Sequence, residues 1–136
     1  MSEAATTTGA QRLGFRDGDV VQEFGYDDDV DFGLREDIED LIGGPLLEED
    51  EHDVADAVLL WHRDDDGDLV DALMDVLTGL DENGVVWVLS PKSGRPGYVS
   101  PAEVLEAAPT AGLHVTSSAG VSEDWSATRL VPRRKK

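Results

Sequence analysis

The sequence predicts a single α/β domain: a mostly parallel sheet of about five strands, helices on both faces and an antiparallel C-terminal strand. Three observations predict it. Residues 57–61 and 85–89 are short, continuously apolar runs, as in strands covered on both faces. Between them lies a helical pattern with a broad apolar face, Leu69, Val70, Leu73, Met74, Val76, Leu77 and Leu80. Strand-like and helix-like segments alternate along 136 residues, a length that suits one domain.

Residues 1–11 are small and polar without periodicity and read as a flexible arm, ahead of a domain over residues 12–132. Residues 20–24 form a short strand after the turn Asp17-Gly18-Asp19. A helix over residues 29–42 places Leu34, Ile38, Leu41 and Ile42 on one face, and Gly43-Gly44-Pro45 stops it. An acidic connection leads to a buried strand, Ala55–Trp61. Asp64-Asp65-Asp66-Gly67-Asp68 is a turn and helix start, its carboxylates suited to the positive end of the helix dipole. The glycine turn Asp81-Glu82-Asn83-Gly84 precedes the second buried strand. Ser100-Pro101-Ala102-Glu103 is a helix start with a capping box, and that helix is expected to end before Pro109. Residues 113–118 and 125–131 are the last strands, joined closely enough for a hairpin. Residues 133–136 form a basic tail.

Thirty acids against eleven bases give a formal net charge of −19. Residues 17–82 hold 25 acids and only Arg35 and Arg63, a net of −23, and the remainder carries +4. Phosphates would be repelled by most of this surface, so nucleic acid and anionic membranes are not expected partners. A basic protein surface is compatible with it. With no cysteine, disulfides and thiolate metal sites are excluded. Apolar runs of about five residues fall far short of the roughly 20 of a membrane span. Without an apolar signal segment at its start, the chain is expected in the cytoplasm.

Residues 56–91, with Leu80-Asp81-Glu82-Asn83-Gly84-Val85-Val86-Trp87-Val88-Leu89 at their centre, resemble the second half of a Rossmann-like class I methyltransferase. Over residues 13–131 the chain resembles a small actinobacterial family of unknown function with a shortened methyltransferase fold. Trp87-Val88-Leu89-Ser90-Pro91-Lys92-Ser93-Gly94 and Glu123-Asp124-Trp125-Ser126-Ala127-Thr128-Arg129-Leu130-Val131 carry that resemblance.

The methyltransferase resemblance implies S-adenosylmethionine held after the first strand by acid-x-Gly-x-Gly-x-Gly. The matching stretch is Glu23-Phe24-Gly25-Tyr26-Asp27-Asp28-Asp29, where only Gly25 fits and Asp27 and Asp29 replace later glycines. A like charge ~4 Å from the methionine carboxylate costs about 4 kcal/mol at an effective dielectric of ~20. The resemblance also implies two further strands before Ala55, but only twelve residues separate Ile42 from it, too few for both and a crossover helix. Neither a cofactor nor catalytic residues are expected.

The aspartate run fails as a calcium loop. With Gly67 at position 6, positions 1 and 12 fall on His62 and Leu73. His52, His62 and His114 lack metal spacing, and no metal site is expected. No serine lies in a nucleophile elbow. Two groups of residues remain as candidates. Glu48, Glu49, Asp50, Glu51, Asp64, Asp65 and Asp66 form an acidic surface for a basic protein partner. Trp61, His62, Ser90 and Lys92 mark the carboxyl edge of the sheet, where α/β folds place ligands. Trp61 is expected to be partly exposed there, and Lys92 with Ser93-Gly94 and Arg95 suits one anion. The reading is a non-catalytic, acidic, methyltransferase-like binding or regulatory module. The alternative is a small enzyme or small-molecule sensor at the carboxyl edge.

Overall fold

The computed structural model describes residues 9–51 and 53–132. The expectations for residues 1–8, residues 133–136 and His52 lie outside them. Among the described residues, five strands form one sheet in the order β1-β2-β3-β5-β4. They are β1 (Val21–Phe24), β2 (Ala55–Trp61), β3 (Leu80–Pro91), β4 (Leu113–Gly120) and β5 (Trp125–Pro132). Strands β1, β2 and β3 are parallel, β5 runs antiparallel to β3, and β4 and β5 make the closing hairpin. The α/β class and this strand arrangement agree with the sequence.

Among the described residues, four α-helices flank the sheet: α1 (Gly9–Arg12), α2 (Phe32–Ile42), α3 (Leu69–Val76) and α4 (Pro101–Thr110). Each longer helix starts on a side chain that accepts an otherwise unpaired backbone N–H. Asp31 accepts from Leu34, Asp68 from Asp71, and Ser100 from Glu103 in the expected capping box. Alternation along the strands divides the core in two. Ala57, Leu59, Trp61, Trp87, Leu89, Trp125 and Ala127 pack against α1 and α2. Val58, Leu60, Val86, Val88 and Leu130 pack against α3 and α4. At about 1.5–3 kcal/mol for each fully buried large side chain, these two layers are the main source of stability.

Four local expectations change. Over Gly9–Gln11 the arm is a packed helical turn. Ala10 is fully buried, and a Cβ on Gly9 would fall 1.8 Å from the Val121 carbonyl oxygen. Second, α4 runs through Pro109 to Thr110, because a proline in the last turn forgoes only one bond, and Ala111 N–H still reaches the carbonyls of Ala107 and Ala108. Third, β3 starts at Leu80, so Asp81 to Gly84 are an irregularity inside a strand, where pairing with β2 jumps from Ala55–Leu80 to Ala57–Val85. Fourth, the acidic connection is paired with β1. Glu23 N–H bonds Leu47 O and Leu47 N–H bonds Val21 O, both at 2.9 Å, which makes a one-residue parallel bridge on the outer edge of the sheet.

Candidate functional site

The parallel strands end together at one carboxyl edge. Alternation sends Glu23, Trp61 and Arg63 to the α2 face there, and His62 and Ser90 to the α3–α4 face.

The α2 face is closed by ion pairs in which Glu23 and Arg63 are the buried members. Glu23, only 6% exposed, accepts from Arg35 Nε at 2.7 Å and Arg35 Nη2 at 2.9 Å, and from the Trp61 indole N–H at 2.9 Å. This bidentate pair raises the Arg35 pKa. Arg63 lies across the edge at 8% exposure. Its guanidinium donates to Asp29, to Asp66 at 3.1 Å, to Gly25 O at 2.7 Å and to Trp61 O at 3.1 Å, and stands 5.4 Å from the centre of the Trp125 ring. Bonding to Arg63 holds the Asp29 carboxyl below its ordinary range. Burial opposes charge on Arg63, but Asp29 and Asp66 outweigh it and its pKa rises. Trp61 is therefore no ligand edge: it is 1% exposed, bonded to Glu23 and edge-to-face with Trp125 at 4.8 Å.

The same geometry tests S-adenosylmethionine. Gly25, the one glycine that fits the motif, has φ +79°, and a Cβ there would lie 2.2 Å from Trp61 O. It is needed for the chain to pass the end of β2. Its carbonyl is taken by Arg63 and its N–H by Glu49 Oε2 at 2.8 Å. Asp29, at a later glycine position, is neutralised by Arg63, so occupation of the space rather than repulsion is its effect. On the outer side, where a ribose-binding strand would pair with β1, lies the bridge at Leu47. The residues present do not fit this cofactor.

The two acid clusters come together around that seal. Glu48, Glu49, Asp50, Glu51, Asp64, Asp65 and Asp66 are all exposed. Glu49 is tied to Gly25, and Gly25 through Arg63 to Asp66. Beside them Tyr26 and Phe32, each about half exposed, meet edge-to-face at 6.1 Å. Tyr26 lines a hollow of about 480 Å³ with Glu23, Arg35, Glu48 and Glu49.

The α3–α4 face is open but divided. His62 is 4% exposed and borders a cleft of about 360 Å³ with Asp68, Glu103 and Glu106. Burial lowers its pKa, against the pull of Asp66. Ser90 and Lys92 line a different cleft, of about 650 Å³, between the end of β3, the start of α4 and the hairpin. The structure thus brings Ser90 and Lys92 together and leaves His62 apart.

Sequence reasoning passed over Glu23, Arg35 and Arg63 as a set. The signal was present: Arg35 and Arg63 are the only bases among 25 acids in residues 17–82. Cations so isolated in an acidic surface are those with fixed partners.

This fold and edge define a Rossmann-like α/β domain of the methyltransferase kind, without the cofactor loop. The chain belongs to the family described as "Protein of unknown function (DUF3052)", which matches residues 10–134. It is 55% identical over 122 residues to "Uncharacterized protein Rv2239c" of Mycobacterium tuberculosis strain H37Rv, covering 90% of this chain and 77% of that protein. The same identity and coverage hold for "Uncharacterized protein Mb2263c" of Mycobacterium bovis. Among solved structures it is similar to the CcbJ methyltransferase from Streptomyces caelestis, at TM-score 0.61 and 11% identity, covering 95% of this chain and 91% of that one. It is also similar to a SAM-dependent methyltransferase from Aquifex aeolicus, at TM-score 0.60 and 13% identity, covering 88% and 85%. At such identities the likeness is one of fold. Among the described residues, no helix is long and apolar enough to cross a membrane.

Proposed function

We propose that this chain is a non-catalytic, methyltransferase-like binding module whose acidic edge docks a basic protein segment. The observation that carries this reading is the Tyr26–Phe32 pair, an exposed aromatic contact beside the acids of residues 48–51. Protein interfaces commonly combine aromatic anchors with a charged rim. The rim here is Asp27, Asp28, Glu48, Glu49, Asp50 and Glu51, all exposed. Arg63 bonds Gly25, whose N–H Glu49 accepts, and Asp66, and so links this rim to the run Asp64-Asp65-Asp66. Mimicry of nucleic acid is one form such docking takes. The chain works in the cytoplasm on this reading.

The test starts from proteins co-purified from native cell extract and measures their association kinetics. A basic partner is expected, its association rate falling with salt. Replacing Glu48, Glu49, Asp50 and Glu51 by Gln or Asn should slow association and flatten the salt dependence. Phe32→Ser should chiefly speed dissociation. Glu103→Gln with Glu106→Gln, away from the edge, should change neither. A partner that binds all variants alike, independently of salt, contradicts the reading.

A further inference from the structure

The cleft at the end of β3 is a built polar site that the docking surface does not use. Its floor follows from strand register. Ser90 pairs with Ser126, Thr128 with Ser118, and Ser126 with Gly120. These residues continue the face that carries Val86, Val88 and Leu130, so an apolar face becomes a hydroxyl-bearing one where it passes the start of α4. Val99, Pro101 and Val104, before and on α4, give the cleft an apolar side. The cleft is therefore two-sided, and a ligand matching it has a polar head and an apolar body.

Two features point to what the head is. Ser90 is 5% exposed and lines the cleft. The Ser90 hydroxyl is open to the cleft and can donate to an oxyanion seated there. Lys92, half-buried, lies over Gly120, where a Cβ would stand 3.3 Å from Nζ. No carboxylate among the described residues pairs with it, in a chain with 30 acids. The nearby Asp124 pairs with Arg95 at 3.0 Å. Glu103 turns to the Ser100 N–H and borders the other cleft. Pro101 in the first turn of α4 also lines the site, so the positive end of that helix adds to the field.

We propose that this cleft binds a small organic anion. A single carboxylate or phosphate is held by Lys92 with the hydroxyls of Ser90 and Ser126, and an apolar body lies against Val99 and Val104. This goes beyond the docking reading and is independent of it, since Lys92 belongs to neither acid cluster.

The experiment is an amide NMR titration of the full chain with hexanoate, phenyl phosphate and, as the neutral control, hexanol. Hexanoate, phenyl phosphate or both should give saturable shifts clustered at Ser90, Lys92, Ser118, Ser126 and Thr128, and hexanol should not. The anion that shifts them names the head group. Lys92→Gln should weaken binding by about tenfold or more, and Ser90→Ala by less, with the melting temperature of each near that of the parent. Equal binding of hexanol, shifts spread elsewhere on the chain, shifts untouched by Lys92→Gln, or none up to roughly 10 mM of either anion would overturn the proposal.

Discussion

Asp29 and Arg63 meet across the carboxyl edge of the sheet, and their ion pair occupies the space around the loop after β1. In the methyltransferase pattern that loop keeps glycines so that a cofactor can approach. Here a side chain from the loop and one from just beyond β2 close on each other. The same guanidinium holds Gly25 O, Trp61 O and Asp66, so one residue fastens the ends of β1 and β2 to the following turn.

Arg63→Gln should therefore destabilise the fold more than Asp29→Asn. Arg63 is 8% exposed and leaves two backbone carbonyls short of a donor, a cost of about 1–3 kcal/mol. Asp29 is half exposed, so its loss is largely compensated by water and should cost about 1 kcal/mol or less. Urea unfolding of both variants checks the order, and equal losses would show that the carbonyl bonds contribute nothing.

Glu23→Gln should cost about 2–4 kcal/mol, because it removes the charge partner of Arg35 and weakens the acceptor for the Trp61 indole. Combined with Trp61→Phe, the losses should be non-additive, since both act on one bond. A double-mutant cycle with no coupling would place the indole bond outside the energetics of the site.

Much of this was legible in the chain. The buried strands, the helix stripes and the Ser100 box are local patterns, and the structure keeps them. Gly25 was legible as a loop glycine, but its reason was not: only the register of β1 against β2 shows that the Trp61 carbonyl lies behind it. Trp61, at a strand end, read as accessible, yet Trp125 covers it from sixty-four residues away. The two clefts were hidden for the same reason. They depend on which strands are neighbours, and β5 lies between β3 and β4. The Tyr26–Phe32 pair lacked any periodic signal because it bridges a loop and the first helical residue.

Gly25→Ala should be strongly destabilising. The residue adopts a left-handed φ, which costs an L-residue about 1–2 kcal/mol, and its Cβ would collide with Trp61 O. Gly14→Ala is the control, with a similar positive φ and open space around it. A similar loss in both would mean that backbone conformation alone sets the cost.

The pH dependence has a definite sign. Burial lowers the His62 pKa, so the unfolded chain takes up that proton first. Stability from neutral His62 is fully present above its ordinary pKa of about 6.5 and declines as the pH falls towards the lower folded value. Asp66, Glu103 and Asp68 soften this by attracting the proton. Asp29, whose pKa is also lowered, acts only below the ordinary aspartate range. Relief of carboxylate repulsion affects parent and variant alike, so the readout is their difference. Between roughly pH 7.5 and 5 the melting temperature of the parent should fall relative to that of His62→Gln. Parallel curves would remove His62 from the linkage.

Arg63, Asp29 and Glu49 close the edge where S-adenosylmethionine would have to sit. Calorimetric titration of the full chain with millimolar S-adenosylmethionine tests this closure most directly. No saturable heat is expected, for the parent and for Asp29→Asn alike, because Arg63 still holds Gly25 in the variant. A micromolar dissociation constant for the parent would contradict it.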